Sequence, residues 1–257
     1  MIAFAGTVPE NYERHLRPIL FEPYAVDLAA RVSGDRILEI ACGTGVLTEA
    51  LLADSTVIAT DLNQGMIDVA RQKVRSDRVS WRQADATHLP FVEREFDGVV
   101  CQFGFMFVPD KLAAFREARR VLRDNGQFVF NVWDSLAAND ASRLLNEVLH
   151  SMFPDNPPRF VEIPFSMYDR GEIERLLRAA GFREIKLTDV WKTMAHSAAR
   201  QFATGMVRGS PLFDQLTERS ADYDRVIDEV TAAIARHKGP QRMCAIVVEA
   251  KPTARSD

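Results

Sequence analysis

The chain has 257 residues, of which 47% are hydrophobic and 26% charged, and its net charge is -4. This is the balance of a soluble globular protein, and the acidic excess argues against a general polyanion binder. Its three cysteines, Cys42, Cys101 and Cys244, are too scattered for a disulfide framework or a metal knuckle; without a long apolar run or a secretion signal, the sequence predicts a cytoplasmic protein with no membrane span.

In chain order, residues 21–32 (FEPYAVDLAARV) read as a helix, with Pro23 in its first turn. Residues 36–41 (RILEIA) form a short apolar strand that ends in a glycine-bearing turn, 42–45. Residues 46–53 are a helix, 56–60 a buried strand, and 64–74 a helix with Ile67, Ala70 and Val74 on one face. Strands follow at 79–83 and 96–102. Leu112, Phe115, Ala118 and Val121 mark a helix, Asp124-Asn125-Gly126 a turn, and 127–133 (QFVFNVW) the fifth strand.

Beyond Trp133 the rhythm loosens. Leu144, Leu145, Val148, Leu149 and Met152 share a helical face, and a proline-rich connection spans 154–164. Asp169-Arg-Gly-Glu172 resembles a capping box, followed by a helix that stops at Gly181 and a strand at 182–190. Helical segments around 197–207 and 219–237 precede the last strand, 243–250. The spacing predicts a cap inserted at about 195–239. Alternating strands and helices imply βαβ crossovers, and continuous apolar strands imply burial on both faces. The expectation is an α/β fold: a doubly wound, Rossmann-like, mostly parallel seven-stranded sheet with helices on both faces and a small helical cap. A single domain over 1–257 is expected, with an N-terminal lid and helices over 1–33, a cofactor-binding half over 34–133 and a substrate half over 134–257 that holds the cap insertion.

The chemistry concentrates in residues 37–45 (ILEIACGTG). Glycines in such a turn admit a ligand that a Cβ would exclude, at the carboxyl end of the first strand where doubly wound sheets bind ligands. The dinucleotide pattern GxGxxG asks for glycine where Thr48 stands, and Glu39 would repel a pyrophosphate. A carboxylate there suits a ligand with a cationic end. Asp61, closing the second strand, is placed to accept both hydroxyls of a ribose, whichever nucleoside cofactor carries it. Its alternative role is to cap the next helix, which Asn63 could do instead.

The segment resembles motif I of the class I S-adenosylmethionine-dependent methyltransferases, (D/E)xGxGxG. Glu39, Gly43 and Gly45 match, and Ala41 replaces the first glycine. Three further segments are similar to that family's motifs in the right order: Gln83–Phe91 (QADATHLPF), the end of the fourth strand with Gln102-Phe103-Gly104, and Arg120–Gly126 (RVLRDNG). The resemblance spans residues 21–133, more weakly to 250, and the opening from Phe4 to Tyr24 is similar to the ubiquinone-biosynthesis-like branch. It implies S-adenosylmethionine as cofactor, with S-adenosylhomocysteine as product. Glu39, Ala41, Gly43, Gly45, Asp61, Leu62, Met66, Asp85, Ala86 and Gln102 would hold it, with Met66 beside the adenine and Asp85 near its exocyclic amine. Gln102 and Phe103 would border the transferred methyl.

The implied reaction moves a methyl to an O, N or C nucleophile of a small, largely apolar acceptor, with no metal, by a monomer or homodimer. Tyr12, Phe21, Tyr24 and Phe103 are the expected acceptor pocket, with Phe4 in the same lid; packing of an N-terminal helix on the sheet would explain the lid aromatics equally well. No residue pattern marks a general base. His15, His150, His196 and the tyrosines Tyr12, Tyr24 and Tyr168 are candidates, with His196 foremost because it opens the cap, whereas His88 is expected to face solvent. Asn156-Pro-Pro-Arg159 follows the wrong strand for a base-modifying motif, and Arg116, Arg119, Arg120 and Arg123 read as a solvated helix face rather than a nucleic-acid surface. A nicotinamide-dependent oxidoreductase on the same sheet, and a regulatory protein that binds S-adenosylmethionine without turnover, are the alternatives.

Overall fold

The computed structural model describes residues 7–253. A seven-stranded sheet forms the centre, in the order β3-β2-β1-β4-β5-β7-β6. Its strands are β1 (Arg36–Ile40), β2 (Thr56–Asp61), β3 (Val79–Gln83), β4 (Phe96–Gln102), β5 (Leu122–Trp133), β6 (Phe182–Met194) and β7 (Gln241–Pro252). All pairings from β3 to β5 are parallel, while β7 runs antiparallel to both β5 and β6. The expected mostly parallel, doubly wound sheet is therefore present. The strand order reverses between β1 and β4, so the crevice at their carboxyl ends is the place such a sheet offers a ligand.

Local chemistry sets the helix boundaries. Before β1 lie α1 (Val8–Asn11), a π-helical segment (Tyr12–Phe21) and α2 (Glu22–Ala29). Then come α3 (Val46–Leu51), α4 (Gln64–Lys73), α5 (Lys111–Val121), α6 (Asp140–Met152), α7 (Arg170–Ala179), α8 (Ala199–Arg208), α9 (Leu212–Thr217) and α10 (Tyr223–Arg236). The Asn63 side chain accepts the Gly65 N–H at 2.9 Å and caps α4, which leaves Asp61 for other work. Asp110 and Asp169 cap α5 and α7 in the same way. The capping box at 169–172 is only half made, because the Glu172 carboxylate turns to Arg175 instead of back to the cap.

The helix expected at 21–32 is shorter, and it is preceded by helical turns from Val8 onward that the sequence pattern did not suggest. Pro18 lies inside the π-helical segment; proline has no N–H to give and disfavours regular α-helix around it. Phe4 of the expected lid lies outside the described residues.

This N-terminal segment is tied to α3, α4 and α8. Arg17 pairs with Glu13 at 3.0 Å and with Glu49 of α3. Lys73 of α4 reaches Glu13 at 3.2 Å, and Gln201 of α8 donates to the His15 carbonyl at 3.2 Å. Gly205 makes the α8 contact possible: a Cβ there would stand 2.4 Å from Leu16 Cδ2, 2.7 Å from Leu16 Cγ and 2.9 Å from the His15 Cβ. Gly205→Ala is expected to lower stability by about 1–3 kcal/mol, the usual penalty of overpacking. The loss should appear as a lower denaturation midpoint with faster proteolysis within residues 8–21. An unchanged midpoint would show that Leu16 and His15 repack without penalty.

Candidate functional site

The site is built around the turn between β1 and α3. Gly43 has φ +55, and a Cβ on it would meet nothing within 4 Å, so its Cα faces open space. Gly45 starts α3 with φ +86, a conformation that excludes most side chains. Ala41, where the family motif has glycine, also has positive φ, at +54. A non-glycine residue pays for that geometry with backbone strain, and such strain clusters at functional sites. A second strained residue, Phe103 with φ +51, faces the same crevice from the end of β4.

Two acidic residues, Glu39 and Asp61, frame the turn, and a third, Asp85, follows β3. Glu39 is 1% exposed and accepts a short hydrogen bond from the Thr48 hydroxyl. Burial pushes its carboxyl up to about 8, partly offset by the Thr48 bond, while the neighbouring Asp61 charge raises it further. Asp61 accepts the Gly43 N–H at 2.9 Å and the Asn63 N–H at 2.8 Å, so its carboxylate ties the glycine turn to the end of β2. Burial raises its pKa and these backbone bonds lower it. Asp85 is exposed and bonded to Thr87 through backbone and side chain at 2.8 Å each, which holds it below the usual carboxylate range. His88 beside it is exposed, as expected. Leu62 is 51% exposed, an apolar surface next to Asp61, whereas Met66 is buried in α4 and Ala86 is half-buried.

On the other side of the crevice, aromatic rings gather. Tyr12 stacks on Phe21 at 4.8 Å, and Phe103 stacks on Trp133 at 4.0 Å. Phe21 and Tyr24 meet both Phe103 and Trp133 edge-on or tilted, at 5.3–6.3 Å. Burial raises the Tyr12 phenol far above its ordinary value, and the Asp61 and Glu13 charges add to the effect. The structure thus brings Tyr12, Phe21, Tyr24 and Phe103 together. Trp133 belongs with them although the sequence reading did not single it out; it looked like one more apolar residue of a strand. Gln102 and Asn131 lie beneath this cluster, both buried.

Of the candidate bases, Tyr12 and Tyr24 lie in this cluster, and the others lie elsewhere. His196 is exposed, beyond the edge strand β6, with its Nε2 3.2 Å from the His237 carbonyl. His150 is exposed and 3.6 Å from Glu162, and Tyr168 is 48% exposed. His15 faces α8, and burial lowers its pKa. The arginines of α5 and its sequel are largely engaged within the protein: Arg119 with Asp124 and the Thr253 carbonyl, Arg120 with Glu117, Arg123 with Asp97. Asp134, Asp189 and Cys244 bring potential metal-ligand atoms within 4.8 Å of one another, but the Arg170 guanidinium already holds both carboxylates, at 3.1 and 2.5 Å.

A family model described as a methyltransferase domain matches residues 38–130. The chain is 41% identical over 102 residues to a demethylmenaquinone methyltransferase of Clavibacter sepedonicus, covering 39% of this chain and 42% of that protein. It is 31% identical over 164 residues to a demethylmenaquinone methyltransferase of Mycobacterium sp. (strain KMS), covering 60% of this chain and 70% of that one. The fold also matches phosphoethanolamine N-methyltransferase 2 of Haemonchus contortus, solved with phosphomonomethylethanolamine and S-adenosylhomocysteine. That match has a TM-score of 0.59 and 16% identity, over 90% of this chain and 53% of that one.

Proposed function

Because the chain belongs to the class I S-adenosylmethionine-dependent methyltransferases, in the ubiquinone-biosynthesis-like branch, we propose that it methylates a small, largely apolar acceptor. The observation that carries this reading is the β1–α3 turn: open space over Gly43, the Asp61 carboxylate fixed at its rim and the buried Glu39 carboxyl behind it. A ligand with a ribose and a cationic end matches that donor and acceptor set, and a pyrophosphate does not. The relatives' name states demethylmenaquinone, a flat, apolar ring system of the kind that the wall of Tyr12, Phe21, Tyr24, Phe103 and Trp133 suits, in its quinone or its reduced quinol form.

In this reading Asp61 accepts the ribose hydroxyls and Glu39 faces the cationic end. Leu62 and Met66 flank the adenine, Asp85 and Ala86 border its amine, and Ala41, Gly43 and Gly45 allow close backbone approach. Gln102 and Phe103 border the transferable methyl. S-adenosylmethionine supplies a methyl already activated by its sulfonium, so the protein's share is to align the acceptor and exclude water. Tyr12 and Phe21, stacked on each other and set against Phe103, perform the exclusion from the lid. The His196 ring lies outside this cluster, against the His237 carbonyl. The three buried cysteines are free, which suits a reducing compartment such as the cytoplasm, and no helix among the described residues is long and apolar enough to cross a membrane.

Calorimetric titration with S-adenosylmethionine, S-adenosylhomocysteine and NAD tests the cofactor, and labelled methyl transfer to phenols, quinols, carboxylates and amines tests turnover. Binding of both sulfur nucleosides without NAD is expected. NAD binding without them would overturn the reading, and cofactor binding without transfer to any acceptor would make the protein a sensor instead of an enzyme.

A further inference from the structure

Two buried amides under the aromatic cluster are each satisfied at one end only. Gln102 ends β4 and Asn131 lies opposite it in the β4–β5 ladder, so both side chains leave the same face of the sheet. Gln102 is 9% exposed and Asn131 fully buried. The Gln102 Nε2 donates to the Phe21 carbonyl at 2.8 Å, while its Oε1 has no partner. The Asn131 Oδ1 accepts the Phe103 N–H at 3.0 Å, while its Nδ2 has no partner. A main-chain group therefore orients each amide: a carbonyl can only accept and an N–H can only donate. What remains is an unpaired acceptor on β4 and an unpaired donor on the residue opposite it in β5.

Buried polar atoms in folded proteins are nearly always paired, and a single group that both donates and accepts would satisfy these two. A hydroxyl does so: its O–H donates to Gln102 Oε1 and its lone pair accepts from Asn131 Nδ2. A carboxylate has no proton for Gln102, an ammonium has no lone pair for Asn131, and an ether or a bare ring carbon lacks the proton. The adjoining rings of Phe103 and Trp133, stacked on each other, make the surroundings aromatic, as suits a ring that carries the hydroxyl.

We propose that Gln102 and Asn131 form the acceptor-recognition pair, selecting an aromatic ring that bears a free hydroxyl. The inference rests on the methyltransferase reading and narrows its acceptor to phenols and quinols. An amide is not basic at neutral pH, so the pair positions the hydroxyl and takes no proton from it. The same anchoring serves methylation at the oxygen or at a neighbouring ring carbon.

The test measures binding of matched probes to the protein loaded with S-adenosylhomocysteine: phenol against anisole and benzene, and 1-naphthol against 1-methoxynaphthalene and naphthalene. Wild type is expected to prefer the hydroxylated member by roughly tenfold or more, since a site built to hydrogen-bond a hydroxyl rejects analogues that lack it. Asn131→Leu, close in size, is expected to lose that preference while binding S-adenosylhomocysteine within about twofold of wild type, a readout that a folding defect would move. Gln102→Leu is expected to lose the preference as well. Equal affinity within each wild-type series, no detectable binding of any hydroxylated probe, or a preference that survives in folded Asn131→Leu would overturn the proposal; in the last case ordered water is the partner of the two amides. Failure of wild type to bind S-adenosylhomocysteine would instead sink the methyltransferase reading, and this inference with it.

Discussion

Replacing Asp61 with alanine is expected to weaken S-adenosylmethionine binding by about 1–3 kcal/mol, the usual value of a hydrogen bond to a charged group that leaves its partner unmet. This is roughly 5- to 150-fold in Kd. The carboxylate is preorganised: the Gly43 and Asn63 N–H groups fix it at 2.9 and 2.8 Å before any ligand arrives. It meets a ribose without an ordering step of its own. Alanine removes the ribose acceptor and also frees the Gly43 N–H, which loosens the turn that must accept the cofactor. Asp61→Asn keeps an oxygen for one of the two N–H groups but turns an NH₂ toward the other, so its loss should be comparable. Calorimetry on both variants, with thermal melting to verify folding, decides the matter. Unchanged affinity in a folded Asp61→Ala protein would remove this residue from the site.

Legibility in the sequence followed physical cause. The parallel half of the sheet was readable because strands buried on both faces must be apolar throughout, and residues 36–41, 56–60 and 96–102 are nearly so. The βα turn was readable because glycine is needed where φ is positive, and Gly43 and Gly45 are found at +55 and +86. The helical turns from Val8 to Phe21 were not readable, since Pro9 and Pro18 interrupt a polar stretch whose order comes from clamps by Glu49, Lys73 and Gln201 of distant elements. Trp133 and Asn131 were hidden for a different reason. Which side of β5 they face depends on register with β4, and only the pairing of Gln102 with Asn131 puts them under the lid. A signal was nonetheless present: in the run QFVFNVW, Asn131 is the one polar residue inside an otherwise apolar core. A buried amide at such a position asks for a partner.

S-adenosylmethionine affinity is expected to rise with pH, by up to about tenfold per unit between roughly pH 6 and 8, and to fall again above that range as the cofactor's own amino group loses its proton. Burial raises the Glu39 carboxyl from 4.5 to about 8, so in the free protein it is largely protonated at neutral pH. A cationic amine bound against it favours the carboxylate, and binding must then expel a proton. The sign for folding is the opposite. A pKa raised in the folded state gives a stabilising contribution that is complete below pH 4.5 and fades as pH climbs to about 8. The free protein should therefore lose melting temperature over this window from Glu39, while saturating cofactor cancels the trend. Glu39→Gln, which keeps the size and an acceptor for the Thr48 hydroxyl, should flatten both profiles and bind more weakly than wild type at pH 8.5. Titrations in two buffers of different ionisation enthalpy count the released proton directly. A wild-type affinity independent of pH, with no proton released, would mean that the cationic end of the cofactor lies away from Glu39 and that Thr48 alone explains why this carboxyl is buried.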